Sequence, residues 1–423
     1  MTAAGARALG ERAQAMIDRL AEFSDEPGRL TRLYLTLAHR RAAERVAEWM
    51  RLAGLAVRID AAATVRGLRP AGRAGWRSSA RLLVGSHIDT VVDAGRYDGA
   101  LGVVAGIIAA DELAARGIAL PFGLEVLAFG DEEGCRFPTT LISSLTTAGA
   151  FDPAVLDMTD VHGTTVREAL VAFGCDPSAM PAEALLRGDT VGYLEVHIEQ
   201  GPVLDSSGEA LGVVSEIASQ GRYRVQVRGE AGHAGTVPMA IRHDAVAAAA
   251  EIVTLVEDVT RNDAGASLVG TVGVIRVEPG AANVIPGFVE MSLDVRAGDD
   301  DSRDRAVAEI RGRIRQIGRK RGVVIGVETM YEKTVAASSP RLRRAIADAI
   351  TDLVGAAPQL LMSGAGHDGQ AMIHLTDIGM IFVRCRAGIS HSPLEFVEVD
   401  DMGLAIEALI GTIMRLAEAE AGA

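Results

Sequence analysis

Residues 81–106, RLLVGSHIDTVVDAGRYDGALGVVAG, predict a strand, a polar turn and a helix in direct succession. The apolar run RLLVGS is typical of a buried strand, and the small apolar residues over 99–116 predict a helix. Between these elements, His87 and Asp89 follow the strand directly, and Asp98 stands at the end of a glycine-containing turn. This order predicts an α/β fold, in which polar side chains gather at the carboxyl ends of the strands.

Further apolar runs predict neighbouring strands of the same sheet. They are FGLEVLAFGD (122–131), TVGYLEVHIEQG (190–201) and DIGMIFVRC (377–385). Their hydrophobicity is continuous rather than alternating, which is typical of strands that are covered on both faces. The sequence therefore predicts an α/β fold with a mostly parallel sheet.

The middle of the chain predicts a second, inserted domain. Its elements follow the order strand, helix, strand, strand, helix, strand, which is typical of a ferredoxin-like fold. The predicted strands are RYRVQVRG (222–229), SLVGTVGVIRV (267–277), FVEMSLDVR (288–296) and VVIGVETM (323–330), with helices over 240–259 and 302–322. We expect the insert to span residues 212–330, and residues 1–211 and 331–423 to form the main domain. A length of 423 residues also favours two domains.

Composition narrows the class of partner. The net charge of −14 argues against a nucleic acid or an anionic membrane as a partner. The three cysteines form no CxxC pair, which suits a reducing compartment. The N-terminal residues predict an amphipathic helix rather than a signal peptide, and no apolar run is long enough to span a bilayer. We expect a cytoplasmic protein that acts on a small molecule.

Side chains of the metal-ligand types fall at the predicted strand ends: His87, Asp98, Glu132, Glu133, His197 and His391. Each of them alone is weak support for a metal site, but their convergence on one edge of the sheet favours it. Two histidines, a glutamate and a shared carboxylate would build a two-metal site. Asp98, on its tight turn, suits the shared position, and Asp89 suits a role in catalysis by orienting the His87 ring.

The sequence resembles the M20 peptidase superfamily, in its hydantoinase/carbamoylase branch. The resemblance rests on motifs that occur in the family's order between about residues 80 and 395: GSHIDTV, GRYDGALGV, DEEGCRF, HIEQGPVLD, GEAGHAGTVPM, NVIPG, LDVR, GAGHDGQAM and SHSPLE. Carboxypeptidase and aminoacylase relatives have an acid where this sequence has His197. The branch includes allantoate amidohydrolases and N-carbamoyl-L-amino acid hydrolases.

The resemblance implies a dinuclear metal centre in the main domain. His87 and His197 would hold one ion, Glu133 and His391 would hold the other, and Asp98 would bridge them. The ions would be Mn²⁺ or Zn²⁺, with Co²⁺ or Ni²⁺ as further candidates. Glu132 would be the general base, which takes a proton from the attacking water and passes it to the leaving nitrogen.

The resemblance also implies a set of substrate-binding residues: Gln200, His233, Asn283, Arg296 and His367. Arg296 can bind a carboxylate through two hydrogen bonds, and His233 and Asn283 can donate to a developing oxyanion. Three of the five, His233, Asn283 and Arg296, lie in the insert, which the resemblance identifies as the dimerisation and lid domain. A homodimer would form through this domain, and His233 would reach the site of the partner subunit.

The expected activity is hydrolysis of a linear ureido or amide C–N bond. Allantoate is the first expected substrate, with ureidoglycine or ureidoglycolate, ammonia and carbon dioxide as products. An N-carbamoyl-L-amino acid is the alternative substrate. A non-catalytic binding protein on the same fold is a further alternative, although the complete ligand set and Glu132 argue against it. A peptidase or aminoacylase is disfavoured by His197.

Overall fold

The computed structural model describes residues 3–72, 79–261 and 268–421. The chain divides into two compact units, Met1–Ser215 with Ala337–Ala423, and Glu216–Ala336. The sequence predicts corresponding boundaries after residues 211 and 330. The structure places both boundaries later, after residues 215 and 336. Residues 211–213 still pair with residues 381–383 of the larger unit's sheet, and the last long strand of the smaller unit continues to Lys333.

The helices and strands are numbered in chain order. The helices are α1 Ala3–Ala21, α2 Leu37–Leu52, α3 Ala100–Ala115, α4 Ile142–Ala148, α5 Val166–Phe173, α6 Val203–Ser207, α7 Ala245–Arg261, α8 Asp300–Arg321, α9 Pro340–Val354, α10 Gly369–Met372 and α11 Val399–Ala421. The strands are β1 Ala56–Ile59, β2 Val65–Arg69, β3 Arg81–His87, β4 Gly123–Phe129, β5 Thr190–Ile198, β6 Leu211–Ile217, β7 Ser219–Arg228, β8 Gly232–His233, β9 Val269–Thr271, β10 Ile275–Glu278, β11 Val284–Ile285, β12 Phe288–Ala297, β13 Val324–Lys333, β14 Ala336–Ala337, β15 Leu360–Ser363 and β16 Ile378–Val383. Short 3₁₀ helices lie at Pro153–Asp157, Pro177–Glu183, Arg187–Asp189, Met239–Ile241 and Arg386–Gly388.

The larger unit is built on a sheet with the strand order β1-β2-β4-β3-β5-β16-β6-β14, and β15 pairs with β6. The four central strands, β4, β3, β5 and β16, are parallel to their neighbours in this group, whereas β2 and β6 join them antiparallel. Every residue of β4, β5 and β16 is buried. The fold is therefore mixed α/β, with a largely parallel sheet at its centre, as the continuous apolar runs predict.

Helix α3 lies at the centre of the larger unit, and the turn before it is therefore held close to the core. Its small apolar residues are buried without a break from Ala100 to Ala110, and it packs on β3, β4 and β5 as well as on α1 and α11. Gly99, just before the helix, has a φ of 65°, and a Cβ at this position would lie 2.5 Å from the His87 ring. Only glycine suits this backbone and this close approach, which bring the end of β3 against the start of α3.

The outer helices of the larger unit are amphipathic. Helix α1 buries Ala13, Ile17 and Leu20 and packs against α11, so the predicted N-terminal helix is present and ends at Ala21. Within the described ranges, no helix combines the length and the apolar character that crossing a bilayer requires.

The smaller unit contains an antiparallel sheet with the order β10-β12-β7-β13, and β9 also pairs with β12. Helices α7 and α8 pack on one face of this sheet over a core of apolar side chains that includes Ile252, Leu293 and Ile310. Alternate residues of β12 are buried, as expected for a sheet that is covered on one face.

Most elements of the smaller unit lie within a few residues of their predicted bounds, and two differ more. Helix α7 begins at Ala245 rather than at residue 240, because the Asp244 carboxylate accepts hydrogen bonds from the first free N–H groups, at Val246 and Ala247. The predicted strand over 267–277 is divided into β9 and β10, because the Val274 N–H turns to donate to Ser292 Oγ at 3.0 Å. Residue 267 itself lies outside the described residues.

Candidate metal centre

The predicted metal ligands come together at the carboxyl ends of the central parallel strands. His87 ends β3, Glu133 follows β4, His197 is the penultimate residue of β5, and His391 follows β16. Potential ligand atoms lie within 4.8 Å of one another in these groups: His87, Asp98 and His197; Asp98, Glu133 and His391; and His87, Glu132 and Glu133. Parallel strands end at one edge of a sheet, so segments far apart in sequence meet there.

Asp98 stands between two sets of predicted ligands. Its Oδ1 lies 3.1 Å from Nε2 of His197 and 3.6 Å from Nε2 of His87. Its Oδ2 lies 3.3 Å from Nε2 of His391, which is itself 3.6 Å from Glu133 Oε2. Each oxygen of one carboxylate thus faces a different set of side chains, which is the arrangement that a bridging ligand requires.

The two buried imidazoles are held in a defined orientation. His87 Nδ1 lies 3.1 Å from the Asp89 carbonyl oxygen, and His197 Nδ1 lies 2.9 Å from the Ile198 carbonyl oxygen. A carbonyl only accepts hydrogen bonds, so each Nδ1 carries a hydrogen, and each Nε2 is the nitrogen that faces Asp98. Both rings are therefore prepared to bind a cation through Nε2.

Asp89 links the end of β3 to the loop after β4. Its two carboxylate oxygens accept hydrogen bonds from the N–H groups of Glu132 (3.3 Å) and Glu133 (3.2 Å). Its Oδ1 lies 3.5 Å from His87 Nδ1, farther than its own carbonyl oxygen. The carboxylate thus fixes the backbone of the glutamate pair, and the main chain of Asp89 contributes most to orienting His87.

The electrostatics of the cluster favour a bound cation. Burial opposes ionisation of Asp98, but His197, His391 and His87 hold its pKa well below the usual range. Burial, and then the charges of Asp98 and Glu132, raise the pKa of Glu133 well above its usual range. In addition, the buried His197 Nε2 lies 3.1 Å from Asp98 Oδ1 but makes no well-aligned hydrogen bond among the residues that the structure describes. Crowded carboxylates and such an imidazole nitrogen fit divalent metal ions.

A cysteine nucleophile does not suit this site. Cys135 lies two residues after Glu133 and is exposed. Desolvation of its thiol by neighbouring groups, together with the charges of Glu133 and Asp89, raises its pKa to about 12. The thiolate is the reactive form of cysteine, so the raised pKa disfavours a nucleophilic role for Cys135 near pH 7.

Two residues that are predicted to bind substrate, Gln200 and His367, lie in different surroundings: Gln200 contacts Asp98, and His367 is buried against His197. Gln200 Nε2 donates to Asp98 Oδ2 at 2.9 Å, which brings this predicted residue into the cluster. His367 is completely buried, its Nε2 lies 2.7 Å from Ser363 Oγ, and its ring centroid is 4.3 Å from that of His197. The structure thus places His367 beside the predicted ligand His197, with its ring buried, and its role in substrate binding stays a prediction.

Within the smaller unit, two of the three predicted substrate residues are neighbours. The short strands β8 and β11 pair so that Ala234 N–H donates to the Asn283 carbonyl oxygen at 2.9 Å, beside His233. His233 is exposed, and its Nδ1 accepts a hydrogen bond from Gly235 N–H at 3.1 Å, which leaves Nε2 as the donor nitrogen. Arg296, on β12, contacts Asp294 through Nε at 2.8 Å.

Two buried glutamates near the cluster are not predicted from the sequence. Glu195 accepts hydrogen bonds from Ser86 Oγ (2.9 Å) and Tyr193 Oη (3.0 Å), and it precedes His197 by two residues on β5. A charged residue inside a continuously apolar strand, two positions from a ligand, is a signal that could have pointed to it. Glu395 lies in the motif SHSPLE but carries no such signal, because its neighbours predict only a loop.

Comparisons with known proteins identify the family of the chain. The family model of peptidase family M20/M25/M40 matches residues 83–415. The chain belongs to this family. It is 40% identical to an allantoate deiminase from Arabidopsis thaliana over 95% of this chain and 81% of the relative. It is 38% identical to an N-carbamoyl-L-amino-acid amidohydrolase from Pseudomonas sp. (strain NS671) over 96% of this chain and 98% of the relative.

A solved structure supports the same placement within the M20 family. An amidase of the hydantoinase/carbamoylase family from Burkholderia multivorans matches with a TM-score of 0.89 and 30% identity, over 96% of this chain and 98% of that one. The family resemblance drawn from the motifs is therefore confirmed.

Proposed function

We propose that the protein is a metal-dependent amidohydrolase that cleaves a linear ureido C–N bond, with allantoate as its substrate. The observation that carries the proposal is the position of Asp98, whose two oxygens face two sets of ligands beside Glu132. The similarity to an allantoate deiminase over nearly the whole chain supports this reaction class.

Two divalent ions fit the ligand set in the larger unit. His87 and His197 would hold one, Glu133 and His391 the other, and Asp98 would be shared. Imidazole and carboxylate ligands suit Zn²⁺ and Mn²⁺ alike, with Co²⁺ or Ni²⁺ as further candidates. Such ions polarise a carbonyl group and acidify water.

The chain's own residues account for the proton transfers. Glu132 takes a proton from the water that adds to the ureido carbonyl carbon, and it returns this proton to the amine nitrogen as the C–N bond breaks. The carbamic acid so formed decomposes to ammonia and carbon dioxide. The Asp89 carboxylate accepts a hydrogen bond from the backbone N–H of Glu132 and so keeps Glu132 in place. Arg296 would bind the substrate carboxylate, and His233 and Asn283 would stabilise the oxyanion.

Substrate choice is tested by comparing allantoate with N-carbamoyl-L-methionine. Both compounds carry a carboxylate next to a ureido group, but only allantoate has a second polar ureido group. A site with hydrogen-bond partners for that group rejects analogues that leave the partners unpaired, by up to about 10⁴–10⁵-fold. We expect kcat/KM, measured by ammonia release from enzyme reconstituted with metal, to be higher for allantoate by about 10²-fold or more.

Two arginine variants serve as controls for this comparison. Arg296→Ala should lower kcat/KM for both compounds alike, because both carry the carboxylate. Arg222→Ala is the matched control, since Arg222 contacts the same Asp294 carboxylate but is not a predicted substrate residue. A preference for the methionine compound would identify the protein as an N-carbamoyl-L-amino acid hydrolase, an alternative that the 38% identity to such an enzyme supports.

We also propose a homodimer that forms through the smaller unit, in which His233 completes the site of the partner subunit. Exposure of His233, with its Nε2 as donor, supports a role outside its own fold. Mixing His233→Ala chains with Glu132→Gln chains should restore activity, because each mixed dimer has one intact site. Random exchange should give about a quarter of the wild-type rate, as expected for a two-fold dimer.

The controls for this mixture are the two variants alone and a mixture that is kept from exchanging. If His233 served its own chain, each site in the mixed dimer would lack one residue. No recovery after exchange has been verified by mass spectrometry would therefore contradict the shared site, while leaving the reaction class untouched.

A further inference from the structure

Glu395 is a buried carboxylate that contacts the backbone of the predicted bridging ligand. Its exposed fraction is 4%, and it lies four residues after His391. Its Oε1 accepts hydrogen bonds from the N–H groups of Tyr97 (2.8 Å) and Asp98 (3.1 Å). A Cβ at Gly95 would lie 2.3 Å from the Glu395 carboxyl carbon, so the turn before Asp98 closes tightly around this side chain.

The second oxygen of Glu395 connects to the side chain of the same ligand. Its Oε2 lies 3.2 Å from Ser390 Oγ, and Ser390 Oγ lies 3.1 Å from Asp98 Oδ2. Gln200 Nε2 also approaches Asp98 Oδ2 (2.9 Å) and Ser390 Oγ (3.2 Å). Both the main chain and the carboxylate of Asp98 are therefore tied to the segment 390–395, which also carries His391.

This arrangement joins two loops that are remote in sequence. The turn that carries Asp98 follows β3, and the segment 390–395 follows β16. The contacts between Glu395 and the first loop span almost 300 residues of sequence. A carboxylate buried to this degree is costly unless its oxygens are satisfied, so its retention here is explained by the N–H groups that it accepts.

We propose that Glu395 is a positioning residue that fixes Asp98 relative to His391, and so sets the spacing between the two predicted metal positions. The inference rests on the proposed metal centre and extends it to a residue that binds neither metal nor substrate. Removing a residue that forms hydrogen bonds with a metal ligand typically lowers metal affinity or activity by about 10–100-fold.

The test is a metal titration of Glu395→Ala in the full chain. We expect the affinity for Mn²⁺ or Zn²⁺, measured by competition with a chromophoric chelator, to fall by about 10–100-fold. At saturating metal, kcat should fall while KM for the substrate changes little. Glu395→Gln should be closer to wild type, because the amide oxygen still accepts from Tyr97 and Asp98.

Glu407→Ala is the matched control. Glu407 is also a buried glutamate, but it lies on α11 and pairs with Arg116, the residue that follows α3, and it is not a member of the cluster. Both alanine variants should lower the melting temperature, and only Glu395→Ala should weaken metal binding. Ser390→Ala removes one of the two connections and should give an intermediate loss, which keeps the test informative if Glu395→Ala does not fold.

The possible outcomes separate this inference from the proposed function. If wild-type protein binds the metals and every variant binds them equally well, Glu395 has only a structural role and the inference is wrong. If wild-type protein binds no divalent metal, the proposal of a metal centre is wrong, and the positioning role of Glu395 is then wrong as well.

Discussion

Replacing Glu132 by glutamine lowers kcat by about 10²–10⁴-fold and leaves metal content and substrate affinity nearly unchanged, because a general base contributes this much to such a reaction. Glutamine has the shape of glutamate but cannot take a proton. The contact that holds this residue uses its backbone N–H, which donates to Asp89 and is unaffected by the substitution. The loss should therefore appear in the chemical step.

Three measurements test this prediction. Metal content is measured by mass spectrometry, substrate binding by calorimetry on the inactive variant, and kcat by ammonia release. Glu407→Gln makes the same chemical change away from the cluster and should keep the wild-type rate. If Glu132→Gln kept a near-normal kcat with its full metal content, the proton would have to be transferred by another group.

The strand ends of the larger unit could be predicted well because their physical signal is local. A run of apolar residues that ends in a metal-ligand type reveals both a buried strand and the edge of the sheet to which it delivers that side chain. His87, Glu133 and His197 follow this pattern, and the structure brings them together with Asp98 and His391. The parallel pairing of β3, β4, β5 and β16 requires that their carboxyl ends meet.

What could not be predicted depends on contacts between remote segments. The sequence around Glu395 predicts only a loop. Its contacts with the N–H groups of Tyr97 and Asp98 arise because the loops after β16 and β3 meet in the folded chain. The motif that contains His367 predicts a residue of the site, but the complete burial of its ring against His197 is a property of packing that the motif does not contain. Side-chain burial and hydrogen bonding across loops are set by tertiary structure rather than by local pattern.

The boundaries of the smaller unit show the same limit. When a strand begins in the sheet of one domain and leads into the next domain, its sequence does not indicate at which residue the boundary lies. Strand β6 runs across the predicted boundary because its pairing with β16 continues there. The division between β9 and β10 likewise depends on Ser292, a residue of the neighbouring strand.

Removal of the Asp98 carboxylate, the proposed bridge, should have the largest effect of any single substitution. In Asp98→Asn, both metal positions lose a shared negative ligand, because the two oxygens of Asp98 face different sets of side chains. We expect turnover to fall by roughly 10⁴-fold or more, since the acidification of water by two-metal sites is lost. Removal of metal from the wild-type protein with a chelator should lower turnover as much as Asp98→Asn does. Adding Mn²⁺ or Zn²⁺ should then restore the activity of the wild type but not that of the variant.

The metal content of matched variants distinguishes a shared ligand from an ordinary one. Wild-type protein should retain about two ions per chain after desalting, as expected for a two-metal site. His391→Ala should keep the ion held by His87 and His197, because its imidazole lies only on the Oδ2 side of Asp98. Asp98→Asn should retain neither ion, whereas His162→Ala, an exposed histidine outside the cluster, should retain both. Equal losses in His391→Ala and Asp98→Asn would show that the two positions fill only together, and full retention in Asp98→Asn would remove the bridging role from this carboxylate.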